Sequence, residues 1–242
     1  MAKLILDTSS WFDLAKPKIE EVLIELEEQV KQSITVLLTC DIIIEEWNRN
    51  KLRVLQEVIV SIRSHAKSAL KMSELLPEQE RNELEKIIRK YTNVEADQER
   101  LAEAFFNRVE KLLKSSEVFR IEDKLKIDMA NRALTKQAPF HNSKNNMADA
   151  LLYFGAVEHV NNTNLIATDL IFVTSNHKEF GDPSDLTRTK IHPELQMGNV
   201  HFVNNLAQAL KMRKEAIDLM DEYHEYEFWD SIKWQSEIAR GK

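Results

Sequence analysis

The chain has 242 residues, of which 43% are hydrophobic and 30% are charged, and its formal net charge at pH 7 is -7. This size allows one large or two small globular domains with a real core, and the negative charge argues against a surface coated all over for nucleic acid. The single Cys40 excludes a disulfide framework and a thiolate zinc site, and the N-terminus has only a short apolar run. We expect a cytoplasmic protein without a membrane span.

Short apolar runs predict the strands of a sheet. The first two are separated by an amphipathic stretch at 17–32, which predicts a helix between them. Strands that alternate with helices indicate an α/β fold with a parallel sheet, whose ligands bind at the carboxyl ends of the strands. The four predicted strands are residues 3–7, 34–40, 170–174 and 199–203.

The middle of the chain, residues 41–135, reads almost entirely as helix. One break is expected at 75–80, where Pro77 suits the first turn of a new helix. This helical excursion is too long for an ordinary crossover, so we expect a hairpin or small bundle against the sheet. Residues 135–146 predict a loop that enters a helix at Met147, and 205–240 predicts a helical C-terminal tail rich in aromatic residues.

Acidic side chains follow the predicted strand ends. Asp7 ends the first strand, Glu45 and Glu46 lie one turn into the helix after the second, and Asp149 opens the helix after the loop. Each has a purely structural alternative, since Asp is a favoured N-cap and acids in a first helical turn are favoured by the helix dipole. The dipole effect is worth roughly 0.3–1 kcal/mol, which accounts poorly for a half-buried carboxylate.

A fourth group of polar residues follows the third predicted strand, in VTSNHKEF at 173–180. Asn176 and Glu179 could belong to a turn that leaves the strand. All four groups nevertheless share one edge of a parallel sheet, and converging oxygen ligands suit a hard divalent cation such as Mg²⁺ or Mn²⁺. One metal site would explain the whole set.

These segments, taken in order, resemble the PIN-domain nucleases. The resemblance is carried by ILDTSSW, IIIEEW, MADALL and VTSNHKEF, and the long helical middle, the APF loop and the IHPEL segment are similar to a larger bacterial PIN-like group. It spans roughly residues 3–204. It implies a Rossmann-like α/β/α sandwich, with a nuclease domain at 1–204, a helical insertion at about 48–135 and a tail at 205–242.

The resemblance also implies catalytic residues and metal ligands. Asp7, Glu46 and Asp149 match the acids of the family, and Glu46 fits better than Glu45 because it directly precedes an apolar residue. Asn176 matches a position that is often Asp, and an amide can offer a carbonyl oxygen but no charge. Glu179 could compensate as a further ligand. We expect one firmly held Mg²⁺ or Mn²⁺ and hydrolysis of RNA.

Other chemistries fit the sequence less well. The chain has neither G-x-G-x-x-G nor G-x-x-x-x-G-K, so a dinucleotide-binding enzyme or a P-loop ATPase is not expected. A haloacid-dehalogenase-type phosphatase wants a second Asp two residues after the first, where this chain has Ser9. The histidines do not repeat at the spacing of zinc ligands.

A basic stripe is predicted on the helix that follows Glu46. On a helical wheel its cations fall on one face, while Leu52 and Ile59 belong to an apolar face. Such a stripe is either an ordinary solvated surface or a guide for a phosphate backbone. Lys144, close before Asp149, is a further candidate for contacting phosphate. The residues of this basic stripe are Arg49, Arg53, Arg63, Lys67 and Lys71.

The function expected from the sequence is therefore a metal-dependent endoribonuclease. Two alternatives stay open: a catalytically silent PIN-like module that binds RNA or protein, which the amide at Asn176 motivates, and a nuclease that acts on DNA, including single-stranded DNA. The sequence also leaves open a homo-oligomer formed through the C-terminal tail and an inhibitory protein partner. No membrane partner is expected.

Overall fold

A computed structural model of the chain describes residues 2–92, 95–142, 146–163, 170–185, 190–219 and 222. Within these residues, all five strands pair in parallel in the order β3-β2-β1-β4-β5. The sequence prediction of an α/β fold with a central parallel sheet is confirmed. The strands are β1 (Ala2–Leu6), β2 (Thr35–Cys40), β3 (Glu117–Phe119), β4 (Leu170–Val173) and β5 (Val200–Val203).

Helices flank the sheet and make up most of the described chain. No described helix combines the length and apolar character that a membrane crossing requires. The helices are α1 (Thr8–Leu14), α2 (Glu20–Lys31), α3 (Asp41–Ser73), α4 (Glu78–Thr92), α5 (Glu95–Ser115), α6 (Asp123–Leu134), α7 (Met147–Thr163), α8 (His177–Phe180) and α9 (206–219), with short 3₁₀ turns at Pro17–Ile19 and Pro193–Leu195.

The central strands are short apolar runs because helices cover both of their faces. Leu4 in β1 pairs in register with Leu37 in β2 and with Ile171 in β4, and all three side chains are buried. Strands buried on both faces carry near-continuous apolar sequence instead of an alternating pattern. The carboxyl ends of β1, β2 and β4 consequently meet at one edge of the sheet, where the loops that follow them can build a site.

The long middle of the chain forms a small helical bundle. Helix α3 packs against α4 and α5, which also pack against each other. The predicted break near Pro77 is present between α3 and α4, and the Arg81 guanidinium donates to the backbone oxygens of Ser73, Glu74 and Leu76 there. Cationic donors at a helix C-terminus satisfy carbonyls that lack helical partners.

The prediction that 41–135 is almost entirely helical was wrong at β3. This strand has three residues and only Phe119 is buried in it, so it carries neither an apolar run nor an alternation. Its place is fixed by packing: a Cβ added to Gly155 of α7 would lie 2.7 Å from the Phe119 ring. The bare backbone of Gly155 lets α7 approach the sheet closely.

The start of the predicted C-terminal tail packs on the body of the protein. Leu206, Ala209 and Leu210 of α9 are buried, and Gln29 of α2 donates to the backbone oxygen of Leu210 at 3.3 Å. The aromatic residues of the predicted tail, Tyr223, Tyr226, Phe228, Trp229 and Trp234, lie outside the described residues, as does any oligomer contact made through them.

Candidate active site

Asp7 stands at the end of β1 as both a helix cap and a buried carboxylate. Its Oδ1 accepts a 2.7 Å hydrogen bond from the backbone N–H of Ser10, which caps α1. Its Oδ2 accepts from the hydroxyls of Ser9 at 2.9 Å and Thr174 at 2.7 Å. The residue is only 1% exposed. The helix cap requires only one carboxylate oxygen. The two hydroxyl groups that donate to Oδ2 therefore stabilise the negative charge of Asp7 beyond what capping requires.

The end of β4 lies directly beside Asp7. The Asp7 backbone N–H donates to the oxygen of Val173 at 3.2 Å, which joins the two strand ends. The Thr174 hydroxyl donates a hydrogen bond to Asp7 Oδ2 and accepts one from the backbone N–H of Asn176 at 3.0 Å. The loop that follows β4 is thereby held so that Asn176 points towards α7.

Asp149, in the first turn of α7, completes this part of the site. The Asn176 amide Nδ2 donates a hydrogen bond to Asp149 Oδ2. Burial, followed by the negative charge of Asp7, raises the pKa of Asp149 to about 7, with smaller contributions from Glu46 and Glu179, and the hydrogen bond from Asn176 opposes this rise. A carboxyl group surrounded by like charges binds its proton more tightly.

Glu46 and Glu45 lie in different surroundings although they are adjacent on α3. Glu46 Oε2 accepts a 2.7 Å hydrogen bond from the Thr8 hydroxyl, directly after Asp7. Glu45 is exposed and lines a separate cavity with Arg120 and Lys126 at the ends of β2 and β3. Of the two acids, Glu46 is the one whose charge acts on Asp149.

We define the acidic cluster as Asp7, Glu46, Asp149 and Glu179 together with the amide of Asn176. All of its potential metal ligands are oxygen atoms. Within the described residues, no three His, Cys, Asp or Glu side chains stand in a ready-made metal-ligand arrangement. Each of the three acids at the strand and helix ends instead accepts from a neighbouring hydroxyl or amide. Crowded like charges and hard oxygen donors nevertheless fit a divalent cation of the Mg²⁺ or Mn²⁺ type.

Comparison with known families assigns the fold. The chain matches the PIN domain family over residues 4–180. The chain belongs to the PIN domain family. No curated protein and no solved structure matches it. PIN domains are generally nucleases, and this family typically uses divalent metals.

The PIN match encloses the acidic cluster from β1 to α8 and ends at Phe180, before β5. The resemblance predicted from the four sequence segments is therefore confirmed. The match also runs through the helical bundle of α3, α4 and α5, so the bundle is enclosed between the parts of the PIN domain that carry Glu46 and Asp149.

The basic stripe on α3 is divided in the structure. Arg49 and Lys67 are exposed and make no ion pair within the described residues, whereas Arg53 pairs with Glu57 one turn away. Arg63 Nε donates to Gln98 Oε1 on α5 at 2.6 Å. Lys144, the further predicted phosphate contact, lies outside the described residues.

The hydroxyl groups around the acidic cluster were not singled out from the sequence as functional. Thr8, Ser9 and Ser175 follow strand ends, where Ser and Thr are common in caps and turns, so position alone does not distinguish them. Their geometry does: Thr8 donates to Glu46, and Ser9 donates to Asp7 and contacts Ser175 at 3.0 Å. The sequence feature that could have identified these hydroxyl residues is the run from Asp7 to Ser10, in which three hydroxyl side chains follow one acid.

Proposed function

We propose that this PIN domain protein is a metal-dependent endoribonuclease. The observation that carries the proposal is the environment of Asp149, whose pKa of about 7 arises from burial and from the charges of Asp7, Glu46 and Glu179. Concentrating negative charge in this way is costly without a cation. A fold whose members are generally nucleases, combined with such a cluster, supports phosphodiester hydrolysis.

Asp7, Glu46 and Asp149 would hold the ion, with Asn176 and Glu179 as adjoining ligands. When bound, a divalent ion lowers the pKa of its water and neutralises charge on the phosphoryl oxygens. The chain itself prepares the ligands: the Ser9 and Thr174 hydroxyls orient Asp7, and Thr8 orients Glu46. Partners that orient metal ligands are an integral part of such sites.

Asn176 has a definite role in this arrangement. Its Nδ2 donates to Asp149, which leaves its carbonyl oxygen as the group that can face an ion. The amide contributes no charge, so the cluster has one carboxylate fewer than a PIN site with Asp at this position. We expect a single firmly held ion, and a second that depends on the phosphate of the substrate.

RNA is the proposed substrate, and the basic stripe supports a path for its backbone. Arg49 lies one turn beyond Glu45 and Glu46 on α3, and Lys67 continues the exposed cations along the same helix. Phosphate contacts of this kind supply most of the sequence-independent affinity of a nucleic-acid-binding protein.

A second candidate function is a silent PIN module that binds RNA or protein without cleaving it. The observation that favours it is the amide of Asn176, which occupies a donor position beside Asp149 instead of adding a charge. A weaker cation site would follow. Hydrolysis of DNA is a further outcome that the same assay distinguishes.

The test is incubation of the protein with labelled single-stranded RNA, and with DNA of the same sequence, in Mg²⁺ or Mn²⁺ and in chelator. We expect cleavage of RNA that requires the metal. RNA binding without cleavage in any metal would favour the silent module, and preferential cleavage of DNA would favour a DNA nuclease.

A further inference from the structure

A small cavity adjoins the acidic cluster at the carboxyl ends of β4 and β5. Its volume is about 210 Å³, and it is enclosed by α1, the turn that follows α1, the loop after β4 and the start of α9. The residues that matter for its chemistry are Ser10, Asp13, Lys18, Ser175, Asn204 and Asn205. Because Ser10 and Ser175 belong to the hydrogen-bond network around Asp7, the cavity opens directly beside the proposed reaction centre.

The direction of the hydrogen bonds fixes what Ser175 can offer a ligand. The Ser9 hydroxyl donates its only proton to Asp7 Oδ2 at 2.9 Å. In the 3.0 Å contact between Ser9 and Ser175, the donor must therefore be Ser175. Ser175 is exposed, and the single O–H of its side chain is used in the hydrogen bond to Ser9, so Oγ presents only acceptor lone pairs to the cavity.

An acceptor at this position selects the kind of group that can bind there. A phosphate oxygen is itself an acceptor at neutral pH and gains nothing from Ser175 Oγ, whereas a hydroxyl can donate to it. The hydroxyl that lies close to every phosphodiester in RNA, and that DNA lacks, is the ribose 2′-hydroxyl.

The opposite wall of the cavity supplies the complementary groups. Asn205 Oδ1 accepts from the Gln208 backbone N–H, and Asn205 Nδ2 donates to Asn204 Oδ1 at 2.8 Å. With its oxygen occupied, Asn204 retains its amide N–H groups as donors for a phosphate or a base. Lys18 adds a positive charge, and the one acid in the lining, Asp13, is paired with Lys16.

We propose that this cavity is a ribonucleotide subsite in which Ser175 accepts a hydrogen bond from the 2′-hydroxyl of a nucleotide next to the cleaved bond. Asn204 and Lys18 bind the phosphate of that nucleotide. The inference rests on the proposed nuclease function and adds a physical basis for choosing RNA over DNA. It makes Ser175 a residue that determines substrate specificity.

The experiment uses a short single-stranded RNA whose cleavage position has been mapped, and a series of the same oligonucleotide with one 2′-deoxynucleotide at each position around that bond. The full-length protein, Ser175→Ala and the control Ser64→Ala are compared through kcat/KM. Ser64 is an exposed serine on α3 and lies outside the cavity lining.

For the wild type we expect one position at which the 2′-deoxy substitution lowers kcat/KM about five-fold, the effect of one neutral hydrogen bond. Ser175→Ala should abolish that penalty at that position alone, and Ser64→Ala should retain it. The penalty is a ratio within one protein, so a general loss of activity caused by a displaced Asp7 would not change it.

Three results would overturn the inference. If Ser175→Ala slows all oligonucleotides equally and keeps the 2′-deoxy penalty, Ser175 acts only by positioning Ser9 against Asp7. If the wild type cleaves RNA and fully deoxy oligonucleotides equally well, the nuclease function stands and the ribose subsite falls. If neither is cleaved in any metal, the proposed function and the subsite fall together.

Discussion

Removal of the charge of Asp149 should stabilise the metal-free protein in a pH-dependent manner. The pKa of this carboxyl rises from 3.8 to about 7 in the folded state. Folding therefore favours the protonated form, and stability falls as the pH rises from about 4 to about 7, because the unfolded chain releases a proton that the folded chain holds. The amide introduced by Asp149→Asn cannot ionise and escapes this loss, while its oxygen can still accept from the Asn176 amide.

The magnitude follows from the pKa values. Each pKa unit corresponds to about 1.4 kcal/mol, so a rise from 3.8 to about 7 corresponds to at most about 4 kcal/mol above pH 7. At pH 5 only the pH interval from 3.8 to 5 contributes, so the gain in the free energy of unfolding from Asp149→Asn is about 1.5 kcal/mol. We expect the advantage of Asp149→Asn over wild type to grow by roughly 2.5 kcal/mol between pH 5 and pH 8.

The assay is urea unfolding of wild type and Asp149→Asn at pH 5, 6 and 8 in the presence of chelator. Asp128→Asn, which removes an exposed acid from α6, serves as the matched control and should show no such trend. Addition of Mn²⁺ should reverse the order of stability, because a cation that binds only the folded state stabilises wild type by mass action. An advantage of Asp149→Asn that does not change with pH, or a loss of stability at pH 8, would refute the electrostatic reasoning.

Two further predictions concern the acids and the basic stripe on α3. Glu46→Gln should lower the rate of metal-dependent RNA cleavage by at least about 100-fold if Glu46 helps to hold the ion. Glu45→Gln makes the same change at the exposed neighbour, and its rate should stay within about two-fold of wild type. The opposite pattern would assign the metal ligand to Glu45. Arg49→Glu with Lys67→Glu should weaken RNA binding and lower its log-log salt slope by up to about 1.4, since each lost phosphate contact removes about 0.7 for single strands. The control variant, Lys111→Glu with Lys114→Glu, makes the same charge change on the last turns of α5, near the start of β3 and away from the acidic cluster. If the two double variants weaken RNA binding equally, only the net charge of the protein matters.

The sequence predicted the sheet well where the strands were fully buried. Leu4 and Ile171 belong to short continuous apolar runs, which are typical of strands buried on both faces. It failed at β3, where three residues with one buried side chain give no local pattern, and pairing with β2 decides the conformation. Tertiary contacts of this kind override local propensity.

The helical wheel predicted the buried face of α3 only in part, because tertiary packing decides which of its residues are covered. Ile59 is buried as expected, but Leu52, which was assigned to the same apolar face, is 70% exposed, and Val54 and Val58 lie in the core. The bundle of α4 and α5 covers only part of α3, so one average face does not describe the contacts of all 33 residues.

In the acidic cluster, the carboxylates could be proposed from their positions after strands, but their coupling could not. The charge of Glu46 acts on Asp149 across about 100 residues of sequence that contain the helical bundle. The choice between Glu46 and Glu45 came from the family resemblance, and the structure adds the contact with Thr8. The hydrogen bond from Asn176 to Asp149 depends on the loop held by Thr174, which sequence spacing does not reveal.

The measurement that tests the central claim most directly is the cleavage of labelled single-stranded RNA by wild type and Asp7→Asn at pH 8, first in chelator and then after excess Mn²⁺ is restored. Asp7 is the most buried of the proposed ligands, and its loss would remove the acid on which the hydroxyls of Ser9 and Thr174 converge. We predict no cleavage in chelator, recovery of cleavage by wild type with Mn²⁺, and none by Asp7→Asn. Cleavage by wild type in chelator, or equal cleavage by a folded Asp7→Asn protein with Mn²⁺, would contradict a nuclease that works through a cation held by this cluster.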